Sequence, residues 1–213
     1  MDETPNWLGF HLVPGIGATR LARLIEHFSG LVAAWQASLA ELRASGLNQR
    51  AAESVLTTRE RISLDGEMER VRRAGVEIVT LADDAYPRLL REISSPPPVL
   101  YVRGSLGEEY APAVGVVGTR RATSYRREMT RRLCAGLAQA GVTIVSGLAR
   151  GIDGVAHTTA LESGARTIAV LGCGLDTIYP PEHRGLAEHI VMQGAGLGVP
   201  ARNSARPREL SNS

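Results

Sequence analysis

Hydrophobic residues make up 44% and charged residues 22% of this 213-residue chain. That ordinary balance excludes collagen-like and low-complexity classes and leaves room for one large domain or two small ones. The formal net charge of +2 is too small to argue for a polyanionic partner by itself. All 24 basic residues are arginine. Two readings fit: GC-rich coding, or cationic contacts that are all planar forks suited to phosphate.

The opening "MDETPNWLGF" has neither a basic n-region nor an apolar h-region, so no signal peptide is expected. No apolar run is long enough to span a bilayer. Cys134 and Cys173 lack any metal or redox spacing and read as free thiols of a reducing compartment. These features point to a cytoplasmic protein with no membrane partner and no metal.

In chain order, residues 1–73 read as a small helical domain. "TRLARLIEHF" places Leu21, Leu24, Ile25 and Phe28 on one face. "SLAELRASG" carries a capping-box pattern, Ser38 with Glu41, and closes on Gly46. "EMERVRRAG" ends a further helix at Gly75. The pattern then changes to short β-branched runs, "GVEIVTL", "PPPVLYVRG", "AVGVVG", "GVTIVSG" and "RTIAVLG". Helical stretches at 124–140 and 153–163 separate the later ones, as in βαβ units on a parallel sheet. Their lack of polar alternation fits strands covered on both faces. The fold class expected is therefore α/β, with residues 74–190 forming a Rossmann-like domain.

Four segments carry candidate chemistry. "VPGIGATRLARL" holds a tight turn with Gly15 and Gly17 between helices, resembling the hairpin of helix-hairpin-helix modules. Such a turn either brings backbone N–H groups to a phosphate or merely packs two helices. In "VGVVGTRRATSYRREMTRR", Gly118, Thr119, Arg120 and Arg121 form the turn after a strand, and Arg120 to Arg132 hold six arginines against Glu128. Ligands of parallel α/β sheets bind at this end of the strands. No glycine follows Gly118 until Gly136, so the dinucleotide fingerprint is absent. The turn is suited to forking onto a phosphodiester, though such a run is also a common solvated helix face.

"SGLARGIDGVAH" is the third segment. Ser146, Gly147, Leu148, Ala149, Arg150 and Gly151 form a donor-rich loop, with Asp153 as the expected N-cap and His157 one turn on. A Ser-His-Asp relay is disfavoured because Ser146 lacks the nucleophile-elbow pattern. The fourth, "AVLGCGLDTIYPPEH", brings Gly172, Gly174 and Asp176 to a third strand end. Its Tyr179 either stacks on a base or packs in the interior.

Together "YPRLL…PPPVLYVRG", "VGVVGTRRAT", "GVTIVSGLARGIDGVAH" and "TIAVLGCGLDTIYPPEH" resemble the DNA-processing protein DprA (Smf) family over nearly all the chain to about Ile190. The resemblance implies a sterile-alpha-motif-like helical domain followed by an extended Rossmann domain. It also implies a cytosolic protein that binds and protects incoming single-stranded DNA and helps load RecA in natural transformation and recombination. No catalytic activity and no cofactor are implied. Arg120 would contact DNA phosphate, and the 146–151 loop would supply neighbouring donors. Asp153, His157, Gly172, Gly174 and Asp176 would support the loops, with Gly15 and Gly17 as a second contact.

The competing reading is a nucleotide-binding phosphoribohydrolase that cleaves N-glycosidic bonds. It would draw on Asp153, Asp176 or His157, none of which shows a paired-carboxylate pattern. A nicotinamide dehydrogenase is weaker still, for want of the fingerprint.

Residues 191–213 depart from the family, which would continue with a Ser-Glu-aromatic-Pro strand and a basic segment. The homodimer surface the resemblance implies lies largely in that continuation. The expectation here is a frameshifted or disordered tail, a C-terminally incomplete sheet, and a free edge at "TIAVL". Residues 197–213 can be written in permitted codons so that a shift of one base reads Ser-Glu-Phe-Pro and, further on, Asn-Phe-Pro-Thr. The coding sequence is expected to show third bases that permit this reading; any other third bases there would remove the frameshift.

Overall fold

The computed structural model describes residues 2–106, 112–172, 175 and 178–193, and the backbone of 197–199. It divides into two compact units, Met1–Leu100 and Tyr101–Ser213.

The first unit opens with six helices: α1 (Thr4–Leu12), α2 (Ala18–Phe28), α3 (Leu31–Gln36), α4 (Leu39–Ala44), α5 (Gln49–Arg61) and α6 (Leu64–Arg73). Leu8, Phe10, Leu21, Leu24, Leu31 and Leu42 are fully buried between them. The Phe10 and Trp35 rings meet edge to face with centroids 5.0 Å apart, the geometry that aromatic quadrupoles favour. On α2 only Leu21 and Leu24 of the anticipated stripe are fully buried; Ile25 and Phe28 are half-buried.

The capping box on α4 forms as its spacing requires: the Ser38 hydroxyl accepts from Glu41 N–H while the Glu41 carboxylate accepts from Ser38 N–H. By contrast α3, which follows Gly30, is capped from a distance. Glu3 Oε1 accepts from Leu31 N–H at 2.9 Å and Val32 N–H at 3.3 Å. Strand β1 (Glu77–Thr80) and the short helix α7 (Arg88–Arg91) complete this unit.

The second unit is a βαβ assembly. Its elements are the Tyr101–Arg103 part of β2 (Val99–Arg103), β3 (Ala113–Gly115), α8 (Ser124–Gln139), β4 (Thr143–Ser146), α9 (Ile152–Glu162), β5 (Thr167–Val170), α10 (Arg184–Met192) and β6 (Leu197–Val199). A 3-10 turn, Pro181–His183, precedes α10. From Tyr101 onward the strand order is β2-β6-β5-β4-β3. Strands β3, β4, β5 and β6 run parallel, and β2 pairs antiparallel with β6. Helices α8 and α9 pack together on β4, burying Cys134, Ile144, Ala156 and Ala160 with Val116 and Leu137 against them. Burial pushes the Cys134 thiol up, which keeps it protonated and unreactive; Cys173 lies outside the described residues.

Four features differ from the sequence expectation. Residues 197–199 form a strand although "GLGV" has no strand pattern, because hydrogen-bond partners on both sides supply what three residues cannot. Strand β5 is therefore flanked by β4 and β6, and among the described residues β3 stands at one end of the order. Strand β3 is exposed rather than covered, with Val114 at 38% and the following Val117 at 85%. Finally, Asp153 is not the N-cap of α9. Gly151 takes that position, and Asp153 is buried in the first turn.

Replacing Ser38 with Ala removes half of the capping box and is expected to lower stability by about 1 kcal/mol, measured as a shift of the urea midpoint at constant slope.

Candidate nucleic-acid interface

Parallel pairing puts the C-terminal ends of β3, β4 and β5 side by side, and the segments leaving them make one surface. The first leaves β3. Gly118 has no room for a side chain: a Cβ there would lie 2.5 Å from Ile152 Cγ1 and 2.7 Å from its Cβ. The Thr119 carbonyl accepts from Ile152 N–H at 3.3 Å, and the Thr119 hydroxyl accepts from Arg121 N–H at 3.2 Å. These contacts fix the backbone and turn Arg120 and Arg121 outward, where both are exposed. Among the described residues neither side chain is paired with an acid. The Thr123 hydroxyl then caps α8, accepting from Arg126 N–H.

The loop leaving β4 is locked against the first. Gly151 has φ +82°, and a Cβ on it would stand 2.2 Å from the Thr119 carbonyl oxygen and 2.8 Å from the Arg120 carbonyl carbon. Only glycine allows that backbone-to-backbone approach. Leu148 is fully buried and left-handed at φ +58°, a costly conformation for a bulky residue. His183 Nδ1 donates to its carbonyl at 2.8 Å. Asp153 Oδ2 accepts from Ala149 N–H at 3.3 Å and would touch any Cβ at Gly147. Asp153 thus shapes the loop instead of ending the helix.

Ser146 is buried and its hydroxyl donates to the Val116 carbonyl at 2.6 Å. It ties β4 to the end of β3 and offers no free donor, contrary to the expectation from its place in the loop. His157 is fully buried, and burial holds its pKa down to about 4. Thr167 Oγ1 donates to the Ile144 carbonyl at 2.8 Å, so it accepts from His157 Nδ1–H at 2.7 Å. The tautomer is set by that chain of bonds. The Ser146 hydroxyl and His157 Nδ1 are therefore committed to the scaffold, and no Ser-His-Asp relay assembles.

Arg150 stands half-exposed on the second loop and pairs bidentately with Glu182, Nε to Oε1 and Nη2 to Oε2 at 3.1 Å. Each holds the other in its charged form. After β5, Gly172 is exposed, and among the described residues nothing lies within 4 Å of a Cβ placed on it; Gly174 and Asp176 lie outside the described residues. Glu182 and His183 stand in "YPPEH", but nothing in that string assigns them to a loop more than 30 residues earlier.

Gly15 and Gly17 belong to the first unit. Gly15 has φ +90° and its carbonyl accepts from Arg20 Nη1. Val13 and Ile16 on either side are buried, so the turn packs two helices. Among the described residues, no group of His, Cys, Asp or Glu is placed to hold a metal ion.

A parallel α/β unit whose strand ends present interlocked loops and outward arginines defines a Rossmann-like α/β protein. The model of the DNA recombination-mediator protein A family matches residues 77–206, and the chain belongs to that family. The match runs past Ile190 and takes in β6. Protein Smf of Synechocystis is 42% identical over 198 residues, covering 91% of this chain and 50% of the relative. Protein Smf of Escherichia coli is 36% identical, over 92% of this chain and 52% of the relative. The chain spans about half the length of these curated relatives. The crystal structure of DNA processing protein A from Streptococcus pneumoniae superposes with a TM-score of 0.75 at 27% identity, over 96% of this chain and 70% of that one. DNA processing protein A from Helicobacter pylori, studied for its single-stranded DNA binding mode, gives 0.53 at 30% identity over 64% of this chain and 61% of that one.

Because burial holds His157 neutral, the stability it contributes is complete above pH 6.5 and drains away as pH falls towards about 4. Thermal or urea unfolding across that window is expected to lose roughly 3 kcal/mol, and His157→Asn to flatten the profile.

Proposed function

We propose that this chain binds single-stranded DNA through its phosphates, at the loops leaving β3 and β4, as a DNA-processing protein of transformation and recombination. The observation that carries this reading is Arg120 and Arg121, both exposed and unpaired among the described residues on a backbone that Gly118 and Gly151 hold fixed. A guanidinium on a rigid turn loses little freedom when it forks onto a phosphate. The contacts carry no base information, so binding tolerates any sequence.

Family membership supports a cytoplasmic role in protecting incoming DNA and handing it to RecA. Phosphoribohydrolase chemistry draws no support from Asp153, whose Oδ2 is spent on Ala149, or from the buried, neutral His157.

Arg120→Ala is expected to weaken binding of all single-stranded oligonucleotides alike. It should also reduce the slope of log affinity against log salt by about 0.7, the share of one neutralised phosphate. Fluorescence anisotropy over a salt series measures both, and an unchanged affinity and slope would overturn the assignment.

A further inference from the structure

Tyr179 follows β5 and is 56% exposed, so of its two sequence readings interior packing is eliminated. The Arg150 guanidinium carbon lies 5.7 Å from its ring centroid, within cation–π reach. That guanidinium is itself held: both oxygens of Glu182 take its N–H groups. Arg150 and Glu182 side chains are 50% and 51% exposed, and an ion pair so wet contributes little to folding. Its geometric effect is larger, since a bidentate fork fixes the plane of the guanidinium beside the ring.

Along the sheet end the order is then Arg120 after β3, Arg150 after β4 and Tyr179 after β5. The first is unpaired among the described residues, the second is neutralised, and the third offers a π-surface. We propose that Tyr179 is a base-stacking platform of the DNA site, and that Glu182 and Arg150 are positioning residues that hold it. The ligand is a nucleobase of any identity, because every base has a π-face. This inference rests on the reading that single-stranded DNA lies over these loops. It reassigns Arg150 from phosphate ligand to support for the ring.

The test compares an oligothymidylate with an abasic oligodeoxynucleotide of equal length, which has the same phosphates and no bases. The wild-type chain is expected to prefer the oligothymidylate by roughly ten-fold. Tyr179→Ala should collapse that ratio towards one, Tyr179→Phe should keep it, and Glu182→Gln should lower it severalfold. A ratio unchanged in Tyr179→Ala overturns the platform while leaving DNA binding intact. If Glu182→Gln instead raises affinity for both oligonucleotides equally, Arg150 is a phosphate ligand restrained by Glu182 and its positioning role is overturned. A wild-type chain that binds neither oligonucleotide removes the DNA reading and this inference together.

Discussion

The whole sheet end depends on one close approach of backbone to backbone, Gly151 against the carbonyls of Thr119 and Arg120. A carbon atom added there would sit 2.2 Å from a carbonyl oxygen, a distance no side chain can relieve because nothing flexible is involved. Gly118 repeats the constraint from the other side, under Ile152. The two loops consequently behave as a single rigid piece. Arginine carries considerable rotamer entropy, and a fixed backbone confines that freedom to the side chain. The second unit also spends buried polar groups to the same end: Ser146 on Val116, Asp153 on Ala149, and His157 with Thr167 on Ile144.

Much of this was legible in the chain itself. The β-branched runs, the glycines bounding them and the helical stretches between them gave the βαβ order, because both signals are local. The capping box at Ser38 and Glu41 was legible for the same reason. What escaped is what the fold brings together across distance. Glu3 caps a helix that begins 28 residues later, and Arg150 meets Glu182 across 32. Asp153 looked like an N-cap because Asp at a helix start has that preference, yet here tertiary packing turned the carboxylate inward to a loop amide. Ser146 looked like a free donor because serine beside glycine often is, and the Val116 carbonyl claimed it. The strand at 197–199 had no pattern of its own to read, since its neighbours determine it.

Arginine is the chain's sole strong cation, and its surroundings sort the copies by role. On α8, Arg131 and Arg132 share Glu128, and Arg127 Nε donates to the Ala122 carbonyl. Arg20 closes a turn in the first unit. The run that looks uniformly basic in the sequence is therefore partly consumed by the structure, and its free charge is concentrated near the turn that starts it. That concentration explains how a chain of nearly balanced charge can present a locally cationic end.

Among the described residues β3 ends the sheet order with one side of its ladder unmatched, and its own Val114 and the nearby Val117 face water. Amide and carbonyl groups in that arrangement form a template, ready to accept a further extended segment in register. The arginine turn grows directly from this strand. Whatever pairs along that border would stiffen the root of the loop and come to lie next to any polyanion gripped above it, so the sheet's margin and its ligand end are mechanically one neighbourhood.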